Sequence, residues 1–194
     1  LPIDFTSDMA LRVKGSIEGI GTKTRSGKAD LTDVFLDADT VVITGSAQFA
    51  YTKRDDVSVD TDPHTAGAEM TGATLTTMAL TVDNVGLHVD GVSADAGLTV
   101  SGELALAKVV DDPISPTQTY TAFHMGNVSV SGELASGAVD LTGQVTPNAL
   151  DVNKAPAGTV RLDWTHAFDL DADRTYGGTG DLIDPGADLQ TPRP

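Results

Sequence analysis

The sequence predicts an all-β protein, an antiparallel sandwich or curved meander of long strands, with a β-solenoid or β-roll as the alternative. Three observations carry that prediction. Apolar residues recur at every second position in segment after segment, and no segment shows a sustained stripe at helical spacing. Of the 28 acidic residues, 24 are aspartate and only Glu18, Glu69, Glu103 and Glu133 are glutamate. Aspartate favours turns and caps, whereas glutamate serves helices. Gly, Asp, Asn and Pro then punctuate the apolar runs along the whole chain.

Taken in order, the first strand signal is the alternation through Val13, Gly15 and Ile17. "DVFLDADTVVITGSAQFAYTK" (residues 33–53) reads as two strands, with Asp37 and Asp39 in the turn between them. The acidic, turn-rich segment 54–72 separates a first lobe, residues 1–60, from a second, residues 61–194. In "ATLTTMALTVDNVGLHVDG" (residues 73–91), Leu75 is followed by a slip at Thr76-Thr77. Met78, Leu80 and Val82 then alternate, Asp83-Asn84 reads as a turn, and Val85, Leu87 and Val89 resume, with His88 facing solvent. Residues 98–110 and 125–152 read the same way. Pro113 and Pro116 mark a loop between them, and the tail "DPGADLQTPRP" is extended and polar.

There is internal echo. "LTVSGELA" at residues 98–105 returns as "VSVSGELA" at 128–135. A looser pattern places a glycine between apolar residues at Gly15, Gly45, Gly102, Gly132 and Gly143. Glycine inside a strand marks a bulge or a close approach of backbone, so these positions suggest strands that bend around a shared core.

Composition narrows the function classes. The chain has 194 residues, 40% hydrophobic but only 5% aromatic, so its core must be built from Val, Leu, Ile and Ala. Its net charge of −16 disfavours nucleic acid, whose backbone is met by clustered Lys and Arg. The densest basic group, Lys23, Arg25 and Lys28, is offset by Asp30 and Asp33. No apolar run approaches the roughly 20 residues that span a bilayer. The chain has no cysteine, which removes disulfides, thiolate metal sites and a cysteine nucleophile. It starts at Leu1 without a signal peptide, which fits a processed product or an excised part of something longer.

The blocks "LPIDFTSDMALRVKGSI", "VVITGSAQFAYTK", "GLTVSGELALAKV" and "VRLDWTHAFDLDAD" follow one another in the chain. Together they resemble the modules of very large, repetitive bacterial surface proteins of the adhesin-like, calcium-binding repeat kind. The resemblance implies a secreted or cell-surface β module with structural or adhesive duty, a repeat or subunit of a fibre or matrix. Its partners would be neighbouring copies of itself, as a homo-oligomer or filament, and surface glycans. The tail "DLQTPRP" would run naturally into another "LPIDFTSDM".

The candidate metal site is "DLDADRTYGGTGD" (residues 169–181), where Asp169, Asp171 and Asp173 alternate. Calcium takes six to eight oxygens, and a D-x-D-x-D loop supplies several from one turn. Thr175 stands where a backbone carbonyl would contribute, and Asp181 or Asp184 could close the site, although Arg174 and Gly180 depart from the usual loop pattern. Ca2+ is therefore the expected cofactor, against the alternative of a solvated acidic turn. Asp55, Asp56, Asp60 and Asp62 form a weaker candidate.

The four histidines, His64, His88, His124 and His166, share no metal-binding spacing. "GTKTRSGKA" (residues 21–29) has the wrong glycine spacing for a phosphate loop, and no nucleophile elbow or distinguished carboxylate pair occurs. No catalytic residue is expected. Trp164, the only tryptophan, reads as a core or junction anchor with Phe168 extending its face. In a carbohydrate-binding module, the alternative function, Trp164 and Tyr176 would share an exposed rim. A hydrolase on a β scaffold would instead need Asp and His converging in a cleft. Asn127-Val-Ser129 matches a glycosylation acceptor.

Overall fold

The computed structural model describes residues 7–25, 29–38, 41–62, 67–90, 94–136, 139–145 and 149–189. Lys28, Asp39, His64 and residues 190–194 lie outside them. The described strands are β1 (Met9–Glu18), β2 (Gly21–Lys23), β3 (Leu31–Ala38), β4 (Val41–Val59), β5 (Met70–Asp90), β6 (Ala94–Val110), β7 (Thr119–Ser136), β8 (Val139–Val145), β9 (Ala149–Lys154) and β10 (Phe168–Asp169). They form one ten-stranded sheet in the order β2-β3-β4-β5-β6-β7-β8, antiparallel at every pairing. The sheet does not close into a barrel, and the architecture is the meander of the expected folds. Neither a solenoid nor a second facing sheet is present among the described residues. No described helix is long and apolar enough to cross a membrane.

Segment 54–72, expected to separate two lobes, holds the connection from β4 to β5. These strands pair along nearly their whole length, so residues on both sides share one sheet. The expected turn at Asp83-Asn84 is a bulge inside the 21-residue β5. Asn84 takes φ +49, and its N–H donates to Ser101 Oγ at 3.0 Å. Asparagine tolerates this left-handed geometry, which lets a strand absorb one extra residue without turning back. Matching slips occur at Thr44/Ser46 on β4 and at Ser101/Glu103 on β6, where Asn127 of β7 also takes a positive φ. Bulges therefore cross the four long strands at one level. At that level the edge partners change as well: β3 gives way to β1 beside β4, and β8 gives way to β9 beside β7.

Directly paired residues share a face, so the register sorts the side chains. One face carries the rows Val13-Tyr51-Met78-Leu106-Phe123-Val152 and Gly15-Phe49-Leu80-Leu104-Met125-Leu150. The Phe49 ring lies over Gly15, where a Cβ would come within 2.7 Å of it and displace it. The other face carries Lys14-Ala50-Ala79-Ala105-His124-Asp151 and, four positions further along the strands, Leu75, Val109 and Tyr120.

The core lies on this second face. Leu75, Val109 and Tyr120 pack with Leu162, Ala167 and Phe168 from the C-terminal segment, all nearly inaccessible. That segment, residues 155–189, lies over one end of the sheet and ends in a 3-10 turn, Pro185–Asp188, capped by the Asp184 side chain. The Thr76-Thr77 slip is thus no backbone irregularity. Leu75 faces the core, and Met78, Leu80 and Val82 face the other way.

Candidate functional site

Where the C-terminal segment leaves the sheet, a cleft of about 620 Å³ opens. Its floor is the alanine-rich patch of Ala105, Ala107 and Ala122, and its walls are Trp164, Arg161, Ile183 and the pair His124–Asp151. The small floor residues follow from the register, because they occupy adjacent positions on one face of β6 and β7. His124 and Asp151 lie 27 residues apart but directly opposite on β7 and β9, with Nδ1 and Oδ1 at 2.5 Å. Gly126 gives the imidazole room, since a Cβ there would meet Nε2 at 3.1 Å.

Trp164 is held from behind. Its indole N–H donates to Asn153 Oδ1 at 3.1 Å, and Asn153 Nδ2 donates to the Leu162 carbonyl at 2.9 Å. The Phe168 ring backs it at 5.7 Å between centroids. Trp164 is therefore both the expected core anchor and a cleft wall. The turn carrying it is tied by Asp163, whose carboxylate accepts from the Thr165 hydroxyl and N–H and contacts His166 Nδ1 at 3.0 Å. These bonds, the hydroxyl first, hold the Asp163 carboxyl below its ordinary range against the opposing effect of burial.

Tyr176 does not line this cleft. It sits half-buried beside Ser58 and Asp169, and burial followed by the Asp169 charge raises its phenol. His88 departs from its expected solvent position: it is half-buried, with Nε2 3.2 Å from Thr44 Oγ1. The described residues lining the cleft include no Ser, Thr or Cys and one carboxylate. His124 and Asp151 thus converge in a cleft, as the hydrolase alternative requires, while the carboxylate pair of glycoside hydrolysis and the hydroxyl or thiol of acyl transfer are not among these lining residues.

The acidic loop folds on the other side of Phe168. Asp169, Asp171 and Asp173 converge, with one carboxylate oxygen from each lying within 4.8 Å of the others. Two non-glycine residues in left-handed geometry turn the chain here, Ala172 (φ +61) between Asp171 and Asp173 and Arg174 (φ +68) just after Asp173. Asp173 N–H donates to Asp171, Thr175 N–H to Asp173, and Arg174 N–H to Asp169 Oδ2. Asp169 Oδ1 is buried and accepts no hydrogen bond.

Thr175 thus enters the loop through its N–H. Asp181 lies outside the converging group. It is buried, and its carboxylate accepts from the N–H groups of Leu170, Asp171 and Gly178, which closes the loop from inside. The glycines follow from this packing: Gly177 takes φ +75 against His166, and a side chain at Gly180 would collide with the Asp171 carboxylate.

The weaker acidic candidate does not converge. Asp55 pairs with Lys53 and the Thr74 hydroxyl, and Asp60 Oδ1 accepts from Asp62 N–H. Burial leads the upward shift of the Asp60 carboxyl. Asp37 pairs with Lys23 at 2.8 Å, and Asn127 donates to Glu103 at 2.9 Å. The chain matches no protein-family model, no curated protein and no solved structure.

Sequence reasoning missed the cleft because its polar groups come from three separated segments, around His124, Asp151–Asn153 and Arg161–Trp164. The available signal was parity: His124 and Asp151 both occupy positions opposite to their apolar neighbours Phe123, Met125, Leu150 and Val152.

Proposed function

We propose that this chain is a structural β module of an extracellular fibre or matrix, and that it packs face to face against a second copy of itself. The observation that carries the proposal is the apolar face of the sheet. Among the described residues nothing outside the sheet covers it, and none of Phe49, Tyr51, Met78, Leu80, Leu104, Leu106, Phe123 or Met125 is buried. Leu11, Val13, Ile17, Leu87, Leu98, Leu150 and Val152 are exposed on it.

Size favours a second copy as the occupant. Six strands about 4.8 Å apart, with about a dozen residues each at about 3.3 Å, span roughly 1,100 Å². Stable complexes bury about 800 Å² per partner, and monomers rarely leave so large an apolar patch in water. A second sheet stacked about 10 Å away would supply the missing layer of a sandwich. Charge agrees: the face is free of carboxylates across its central rows, and Lys53, Lys108 and Lys154 lie in one cross-strand row at its margin. That gives an apolar centre with a polar rim. The resemblance to surface-protein modules supports the extracellular setting.

Light scattering after gel filtration tests this directly. Wild type runs as a dimer or larger species, and Leu80→Asp and Leu106→Asp run as monomers with unchanged far-UV circular dichroism. A wild type that stays monomeric at hundreds of micromolar would sink the proposal.

Calcium in the acidic loop belongs to the same reading. Three converging carboxylates, one with a buried unpaired oxygen, fit a hard cation that completes its shell with water and backbone carbonyls. Such a site falls in the weak range of extracellular modules, about 10⁻⁴–10⁻³ M. Calcium at ten times its Kd then raises Tm by roughly 3–5 °C relative to chelator. Asp171→Ala removes that difference. Equal melting of wild type in calcium and in chelator would leave the loop a solvated turn.

A further inference from the structure

We infer that the cleft between Trp164 and His124–Asp151 is a binding site for neutral saccharides, a ligand site separate from the self-association face. The two lie on opposite faces of the sheet, so one module could hold a neighbour and a glycan together.

The chemistry of the walls selects the ligand. Trp164 offers an aromatic surface whose orientation is fixed by Asn153 and Phe168, so little freedom is lost when a ring stacks on it. Opposite lies a floor of alanine methyls, low enough for a ring to enter. Two planar polar groups stand at the rim with bonding capacity left over. Arg161 has no hydrogen-bond or ion-pair partner among the described residues, and Asp151 keeps one oxygen beyond its bond to His124. A guanidinium that donates and a carboxylate that accepts match vicinal hydroxyls, each of which does both. The volume, about 620 Å³, lies within the ordinary range of small-ligand sites.

Charge narrows the choice further. At a net −16 the protein repels polyanions, so uronic-acid polymers are disfavoured relative to neutral hexose chains. The Asn153 amide is already committed at both ends, to Trp164 and to the Leu162 carbonyl. Its part is positioning the indole.

The single tryptophan makes the cleft its own reporter. Emission of Trp164 is followed while cellohexaose, mannohexaose, chitohexaose or oligogalacturonate is added up to 10 mM, roughly the upper end of weak single-site binding. The expected result is a saturable change with at least one neutral oligosaccharide and none with oligogalacturonate. Arg161→Ala and Asp151→Ala, both at exposed positions, weaken that binding at least tenfold while far-UV circular dichroism is unchanged. Leu80→Asp, on the opposite face, leaves it intact. No saturable change with any neutral oligosaccharide overturns the inference, as does binding that survives both rim variants.

Discussion

The two faces of this sheet differ in how far their apolar residues are buried. On the face beneath the C-terminal segment, Ala50, Ala79 and Ala107 are almost wholly inaccessible. On the opposite face Leu11, Ile17, Leu87 and Leu150 remain exposed. Hydrophobicity decides which residues can be buried, but what lies on top of them decides which are. In the self-association proposed above, the apolar residues left on the uncovered face are the ones a second copy would bury.

The largest test of that contrast uses two leucines of one strand. Leu75→Ala, in the core, should cost about 2–5 kcal/mol in urea unfolding. Leu80→Ala should cost far less in dilute monomer and act mainly on self-association. Similar losses at both positions in a dilute monomer would erase the distinction between the faces.

The next test lies in the acidic loop. Asp181→Ala removes the acceptor for three N–H groups in a buried place and should cost about 1–3 kcal/mol. Asp171→Ala, on the exposed side of the same loop, should change stability little without calcium and abolish the calcium-dependent shift. The two aspartates would then separate into a structural and a ligand-facing role. Identical behaviour of the two variants would merge them.

The smallest effect concerns loop 111–118, beyond the strand ends. The Thr117 hydroxyl, then the N–H groups of Gln118, Thr117 and Asp112, lower the Asp111 carboxyl to about 2. A depressed folded-state value means that the contribution is full above the unfolded value of 3.8 and is lost as pH falls through about 2. Side-chain NMR of Asp111 should show a midpoint near 2. A midpoint near 3.8 would mean that the loop is not fastened in solution.

Much of the fold was legible because a half-buried strand writes its period into the chain. Alternation marked strands within residues 33–53 and 98–110, but β4 runs on to Val59 into the segment read as a break, and β6 already begins at Ala94. Which face is covered was not legible: the Thr76-Thr77 slip recorded the change from one apolar face to the other, but nothing local says which face meets the C-terminal segment. Asp83-Asn84 misled because the same residues serve a turn and a bulge, and only pairing with β4 and β6 tells them apart. Asp169, Asp171 and Asp173 were legible as a local spacing. The inward aim of Asp181 and the meeting of His124 with Asp151 depend on contacts that no short window contains.

The line of bulges across β4, β5, β6 and β7 has a mechanical consequence. Four strands pass through it unbroken, yet the ladder loses rungs there in three successive pairings. Such a line resists tension along the strands as well as any other part of the sheet, but it resists flexure less. Phe168, Leu162 and Tyr120 pack a second layer onto one end only, so bending of the far end against it should concentrate at this line. In a chain of stacked modules, compliance would gather at this crease, and the cleft and the acidic loop would ride on the end that keeps its shape.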